Sequence, residues 1–201
     1  MRPLLLPLLA LTAAPLCAQR SGLGVKGGIL ACETRTGAVS TRMIPGGAAG
    51  AYFALRAAPR MELQPELLIT ALGSGYTLPD GDRSSVRTLY AQVPLSVKLY
   101  VGNAFNVQGG FQVGRLLLAQ QHGPEGDADV TSSYKSWDQG LILGAGVDLV
   151  SGLDLGVRYY NGLSTILADD QAIFPRNRSL MLSAGYRITG MRAPKLIRKR
   201  H

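Results

Sequence analysis

The stretch TLYAQVPLSVKLY, Thr88 to Tyr100, alternates strictly between apolar and polar positions. Successive side chains of an extended strand point to opposite faces. Leu89, Ala91, Val93, Leu95, Val97 and Leu99 therefore share one face, and Tyr90, Gln92, Ser96, Lys98 and Tyr100 share the other. Pro94 interrupts the run without an N–H to give to a ladder, which in a sheet signals an edge or a bulge. The same two-residue period recurs over 23–31, 51–57, 63–71, 105–113, 137–149, 153–159 and 180–188, while the helical period hardly appears. Eight such segments restrict the chain to an all-β fold. In the segment from Phe105 the phase breaks at Arg115-Leu116, where a bulge or an exit from a membrane is expected.

The connections alternate too. Four long segments rich in turn formers follow the first, third, fifth and seventh strands. GSGYTLPDGDRSS (73–85) and QHGPEGDADVTSS (121–133) are the clearest. The intervening links are short, at 58–60, 102–104 and 151–152. Long loops at one end, short turns at the other and an even strand count describe a transmembrane barrel of the bacterial outer membrane. A chain of 201 residues is one domain by length, and none of its internal apolar runs reaches the ~18 residues of a membrane helix.

The ends carry their own signals. Arg2, the apolar run 4–11 and the small residues before Gln19 read as a secretory signal peptide over 1–18, with cleavage after Ala18. Cys17 then leaves with it, and Cys32 is the sole cysteine of the mature chain, so neither an intramolecular disulfide nor a cysteine metal site is available. The barrel is expected over 19–190. The tail at 191–201 carries five basic residues and is read as a solvated periplasmic extension, with no nucleic-acid partner for an exported chain.

Alternation alone does not say which face is out. The polar face is poor in charge and rich in glycine (Gly24, Gly28, Gly110, Gly114, Gly140, Gly144, Gly146, Gly156 and Gly185), as the cramped lumen of a narrow barrel requires. Its charges nearly balance: Lys26, Arg56, Lys98, Arg158 and Arg187 against Glu62, Glu66, Asp148 and Asp154. Away from bulk water such charges must pair. A lumenal ion-pair network is expected from Lys26, Arg56, Glu62, Glu66, Lys98, Arg158 and Arg187, with Glu62 and Glu66 as its acidic centre. Phe105, Trp137, Tyr159 and Tyr186 are the expected interfacial aromatics on the lipid side.

GVKGGIL (24–30), ELQPELLIT (62–70), LYAQVPLSVKLY (89–100), FNVQGGFQVGRLL (105–117), the run 140–166 and LMLSAGYRI (180–188) resemble successive strands of the PorT-like outer-membrane β-barrel family of Bacteroidota. QPELL and VPLSVKLY, with their prolines, carry the resemblance most specifically. It implies a small eight-stranded barrel of the OmpA/OmpX type. The founding member's association with secretion and gliding machinery does not transfer, because the matching residues are wall residues. The chain departs from such barrels in continuing past Ile188 into a basic extension instead of ending on an aromatic residue.

Chemistry is sparse. A hydrolase needs a base within reach of its nucleophile; His122 shares a loop with Ser132 and Ser133, and the only other histidine, His201, is in the tail. Asp127 with Asp129, and Asp169 with Asp170, offer oxygen ligands to a hard cation but read as solvated loop carboxylates. No catalytic residue, cofactor or metal is expected. The reading is an integral outer-membrane barrel with a filled lumen and no transport pore. Its partners are outer-membrane lipid and lipopolysaccharide, with envelope or secretion proteins reached through the loops. The rivals are a soluble periplasmic barrel holding a small apolar ligand and a lipid-modifying enzyme.

Overall fold

The computed structural model describes residues 21–35, 41–77, 83–123, 126–167 and 175–188. The expected signal peptide at 1–18 and the expected tail at 191–201 lie outside the described residues. Ten strands are present among them: β1 (Ser21–Arg35), β2 (Thr41–Arg42), β3 (Ile44–Ala58), β4 (Met61–Thr77), β5 (Arg83–Val101), β6 (Phe105–Gly123), β7 (Gly126–Asp129), β8 (Trp137–Asp148), β9 (Leu153–Gly162) and β10 (Arg176–Arg187). β2 only extends the edge of β4, and β7 folds back on β6. The other eight pair antiparallel with their neighbours in order, and β10 closes on β1. The fold is a closed eight-stranded up-and-down barrel, so no long strand edge is left open.

The registers fix its shape. Starting at Ser21 and stepping through Leu55, Leu63, Val97, Gly109, Leu143, Tyr159 and Leu180, the ladder returns to β1 at Ala31, ten residues further on. Such a stagger tilts the strands by about 35–45° and leaves an interior that side chains can fill. Three tight links join strands at one end, and two of them turn on glycines with left-handed backbone, Gly102 (φ 83°) and Gly152 (φ 96°). Other residue types pay a steric penalty there.

At the opposite end the expected long loops are mostly strand. The segment 73–85 contributes 73–77 to β4 and 83–85 to β5, and within 121–133 the described residues are the tip of β6 (121–123), β7 and a single 3-10 turn, Thr131–Ser133. Its turn-forming residues pair because β5 and β6 run on together for 19 residues each. A tilted strand needs only about 9–11 residues to cross a bilayer. The barrel wall therefore projects past the membrane.

The proline expectation resolves in detail. Between Pro65↔Leu95 and Leu68↔Gln92 the β4–β5 ladder lacks two pairs without any change of register, and Pro94 stands in that gap. Pro65 also lies in a gap of the β3–β4 ladder, between Tyr52↔Glu66 and Leu55↔Leu63. Missing bonds, rather than a bulge, accommodate the prolines. A bulge occurs just past the expected break in β6: the β5–β6 register shifts between Leu89 and Tyr90, opposite Leu117. Arg115 and Leu117 then point outward, and Leu116 and Ala119 point in.

Candidate functional site

Alternation sends every second strand residue inward, and most of the inward charges meet in the half of the lumen nearest the tight turns. Glu66 on β4 is fully enclosed. It accepts from Lys26 Nζ at 3.1 Å, from Gln64 Nε2 at 2.6 Å, and from both prongs of Arg158, with Nη1 2.8 Å from Oε2 and Nη2 2.6 Å from Oε1. Arg158 also donates to Gln108 Oε1 at 3.0 Å. A second cluster centres on Lys98, whose Nζ donates to Asp154 Oδ2 at 2.7 Å and to Asp148 Oδ1 at 3.3 Å. Tyr100 OH and Asn106 Nδ2 complete the shell of Asp148, at 2.5 and 2.9 Å. Arg187 donates to Glu62 at 3.0 and 3.2 Å and lies 3.5 Å from Asp148, which ties the clusters together. Taking each ion out of water costs several kcal/mol, and only this density of charge-assisted bonds offsets it.

Six of the seven residues expected in the network are thus brought into ion pairs. Arg56 is not: its guanidinium lies 5.7 Å from the centroid of the Tyr100 ring, and Nε and Nη2 are buried without a hydrogen-bond partner. The acidic centre also differs. Glu66 holds two cations and Glu62 one, while Asp148 and Asp154 hold Lys98. Those two aspartates flank the 149–152 turn and face each other in register. Their shared polar face and short link were the sequence signal for them.

The lumenal glycines have a specific use. A Cβ at Gly24 would fall within the Tyr52 ring, and one at Gly140 would meet the Tyr160 ring. Each tyrosine lies across a glycine on the adjacent strand. Large rings therefore fit where a Cβ on the neighbouring strand would collide with them.

Towards the other end the filling becomes apolar. Leu30, Cys32, Leu72, Tyr90, Leu116, Ala119 and Met181 form one buried cluster. Asp138 there has neutral partners, Asn177 Nδ2 at 2.9 Å and Ser164 Oγ at 3.1 Å. Beyond the cluster a cavity of about 360 Å³ opens, lined by Ser74, Tyr76, Val86, Tyr134, Ile166 and Asn177 among others. Burial pushes the Tyr134 phenol up to about 12. At the rim, His122 Nδ1 lies 2.7 Å from Asp127 Oδ1, so its ring partner is a carboxylate rather than Ser132 or Ser133. Asp129 accepts the Thr131 N–H at 2.8 Å, and hydrogen bonds from Thr131 hold its carboxyl below the usual range. Asp169 and Asp170 lie outside the described residues.

The outer surface of the wall is apolar, with Leu23, Ile29, Leu67, Leu95, Leu143 and Leu182 exposed, and with Phe105, Trp137, Tyr159 and Tyr186 on the same side. That arrangement suits lipid and not water.

A family model described as outer membrane protein beta-barrel domain matches residues 17–168. Among solved structures, Neisserial surface protein A is similar at 11% identity, covering 84% of this chain and 99% of that one, with a TM-score of 0.52. OprG, an outer membrane protein of Pseudomonas aeruginosa, is similar at 12% identity over 86% of this chain and 98% of its own, with a TM-score of 0.50. At these identities the likeness is one of fold. No curated protein sequence matches the chain.

Proposed function

The chain belongs to the outer membrane protein beta-barrel domain family, and from that premise we propose that it is a barrel closed to solute flow, whose interactions are made at its external end. It is integral to the outer membrane, with the tight turns on the periplasmic side and the projecting strands outside. One observation carries the closed-lumen reading: Lys98 bridges Asp148 and Asp154 across the interior, and all three are at least nine-tenths enclosed by protein. Together with the Glu66 cluster and the apolar layer above it, they support a lumen without a continuous water path. A water-filled pore would instead keep such charges hydrated and separate.

The role of the external end rests on what projects there: the ends of β5 and β6, the β7 hairpin and the cavity they border. The His122–Asp127 pair without a nucleophile favours binding over catalysis, and no cofactor is invoked. The QPELL and VPLSVKLY segments favour placement beside the PorT-like barrels of Bacteroidota, without their association with secretion. Lipopolysaccharide and envelope proteins are the partners this reading predicts. The test is conductance. The full chain, folded into planar bilayers, is expected to give no steady current at moderate voltage; a stable ohmic channel in the unmodified protein would overturn the closed-lumen reading.

A further inference from the structure

On the outward face of the strands, charge is confined to one end. Following β10 upward from the periplasmic side, the outward residues are Ile188, Tyr186, Ala184, Leu182 and Leu180, and then Arg178 and Arg176. On β6 they are Phe105, Val107, Gly109, Phe111 and Val113, and then Arg115. On β5 the run from Val101 to Leu89 gives way to Arg87. In each strand the arginine is the first charged position after the apolar belt. At the periplasmic end no outward strand residue among these is charged, and Arg60, which is basic there among the described residues, lies in the β3–β4 turn.

Between the arginine-bearing strands β6 and β10 stand β8 and β9, which present Gln139, Trp137 and Asn161 outward at their external ends. Arg115 is opposite Trp137 in register and its guanidinium is 6.0 Å from the indole. Glu33 faces Arg178 in register, and Asp129 lies one strand beyond Arg87 on the line Arg87, Gln120, Asp129, so four arginines stand against two carboxylates. The lysines of the strands, Lys26 and Lys98, are inside the lumen, which leaves the outward positions to guanidinium groups. A guanidinium offers a planar fork of donors that matches phosphate, whereas an ammonium is a point charge.

We infer that Arg87, Arg115, Arg176 and Arg178 form a collar that binds the phosphate groups of the phosphorylated glycolipid making up the outer leaflet. The acyl chains lie against the apolar belt directly below. This rests on the outer-membrane placement and external-end reading above, and is independent of whether the lumen conducts. Trp137, the only tryptophan of the chain, sits at the edge of the collar and reports its occupancy.

The test uses the full chain folded in detergent and titrated with bisphosphorylated lipid A, with the same glycolipid stripped of phosphate, and with inorganic phosphate, reading Trp137 emission. Saturable change with the phosphorylated lipid alone is expected. The midpoint should rise about tenfold in Arg87→Gln/Arg178→Gln, which spares the Arg115–Trp137 contact, with lysine at both positions intermediate. Heat-modifiable migration verifies that the variant is folded; should it fail, the unmodified protein still decides, because binding of the phosphorylated lipid alone must weaken as salt rises. Equal binding of the dephosphorylated lipid, an unchanged midpoint in the folded variant, or full competition by inorganic phosphate in the same concentration range would each overturn the collar. A conducting barrel with intact phosphate selectivity would overturn only the closed-lumen reading.

Discussion

In the periplasmic half of the lumen carboxylates and cations stand 2.6–3.5 Å apart, whereas the external half holds the apolar cluster of Leu30, Leu72, Leu116 and Met181, with Asp138 bonded only to neutral partners, and then opens into a cavity of about 360 Å³. The contrast is one of specification. Arg158 reaches Glu66 across 92 residues of sequence, and Arg187 reaches Glu62 across 125. Those bonds are satisfied at one strand register and one closure of the barrel, because a slip of one residue would turn the charges into lipid. Apolar side chains tolerate small displacements, so the external half can accept change that the periplasmic half cannot. A site meant to bind something belongs at the tolerant end.

The most damaging test of this contrast is Glu66→Leu. It leaves Lys26 and Arg158 buried without their carboxylate, and breaking a buried pair from one side costs about 3–5 kcal/mol. Urea unfolding in detergent, followed by the heat-modifiable band, is expected to show a large fall in midpoint. A loss below about 1 kcal/mol would mean that the network is hydrated and that the two halves are not different in kind.

Much of this was legible beforehand, and the reasons for the exceptions are physical. The two-residue period assigned lumen and lipid faces correctly along all eight strands, since burial on one side leaves no freedom in phase. At Arg115-Leu116 the alternation of faces continues and the change of polarity marks the end of the apolar belt, while the bulge follows at Leu117. The extent of the strands was hidden: Gly73, Ser74 and Gly75 read as a loop by composition, yet they pair with Arg87, Val86 and Ser85 because the partner strand is already aligned. The charges of the network were visible but their pairing was not, for it depends on a ten-residue stagger that no local pattern encodes. Arg56 shows the same limit. It shares the face and the sign of its neighbours, and the registers still bring it to an aromatic ring.

A smaller effect is expected from shape alone in the ionic half. Gly24→Val places a branched side chain where the Tyr52 ring lies, and forcing extra atoms into a packed interior costs typically about 1–3 kcal/mol. The same unfolding experiment reads it. Adding Tyr52→Ala to Gly24→Val should return part of the loss, because the ring is the obstacle; a double variant weaker than the sum of both single changes would instead make Tyr52 a contributor independent of that glycine.

The least effect is expected at the tolerant end. Ser74 Oγ is buried beside the cavity with no hydrogen-bond partner, so Ser74→Ala removes a desolvated hydroxyl that returns little. Replacing an unsatisfied group by an apolar one of similar shape is close to neutral. A midpoint within about 0.5 kcal/mol of the unmodified protein, on either side, is therefore expected. Combined with Glu66→Leu the two changes should add, as distant sites with no shared partner do. A loss of more than about 1 kcal/mol from Ser74→Ala alone would place a bound molecule or an ordered water on that hydroxyl, and the external cavity would then be a specified site like the network beneath it.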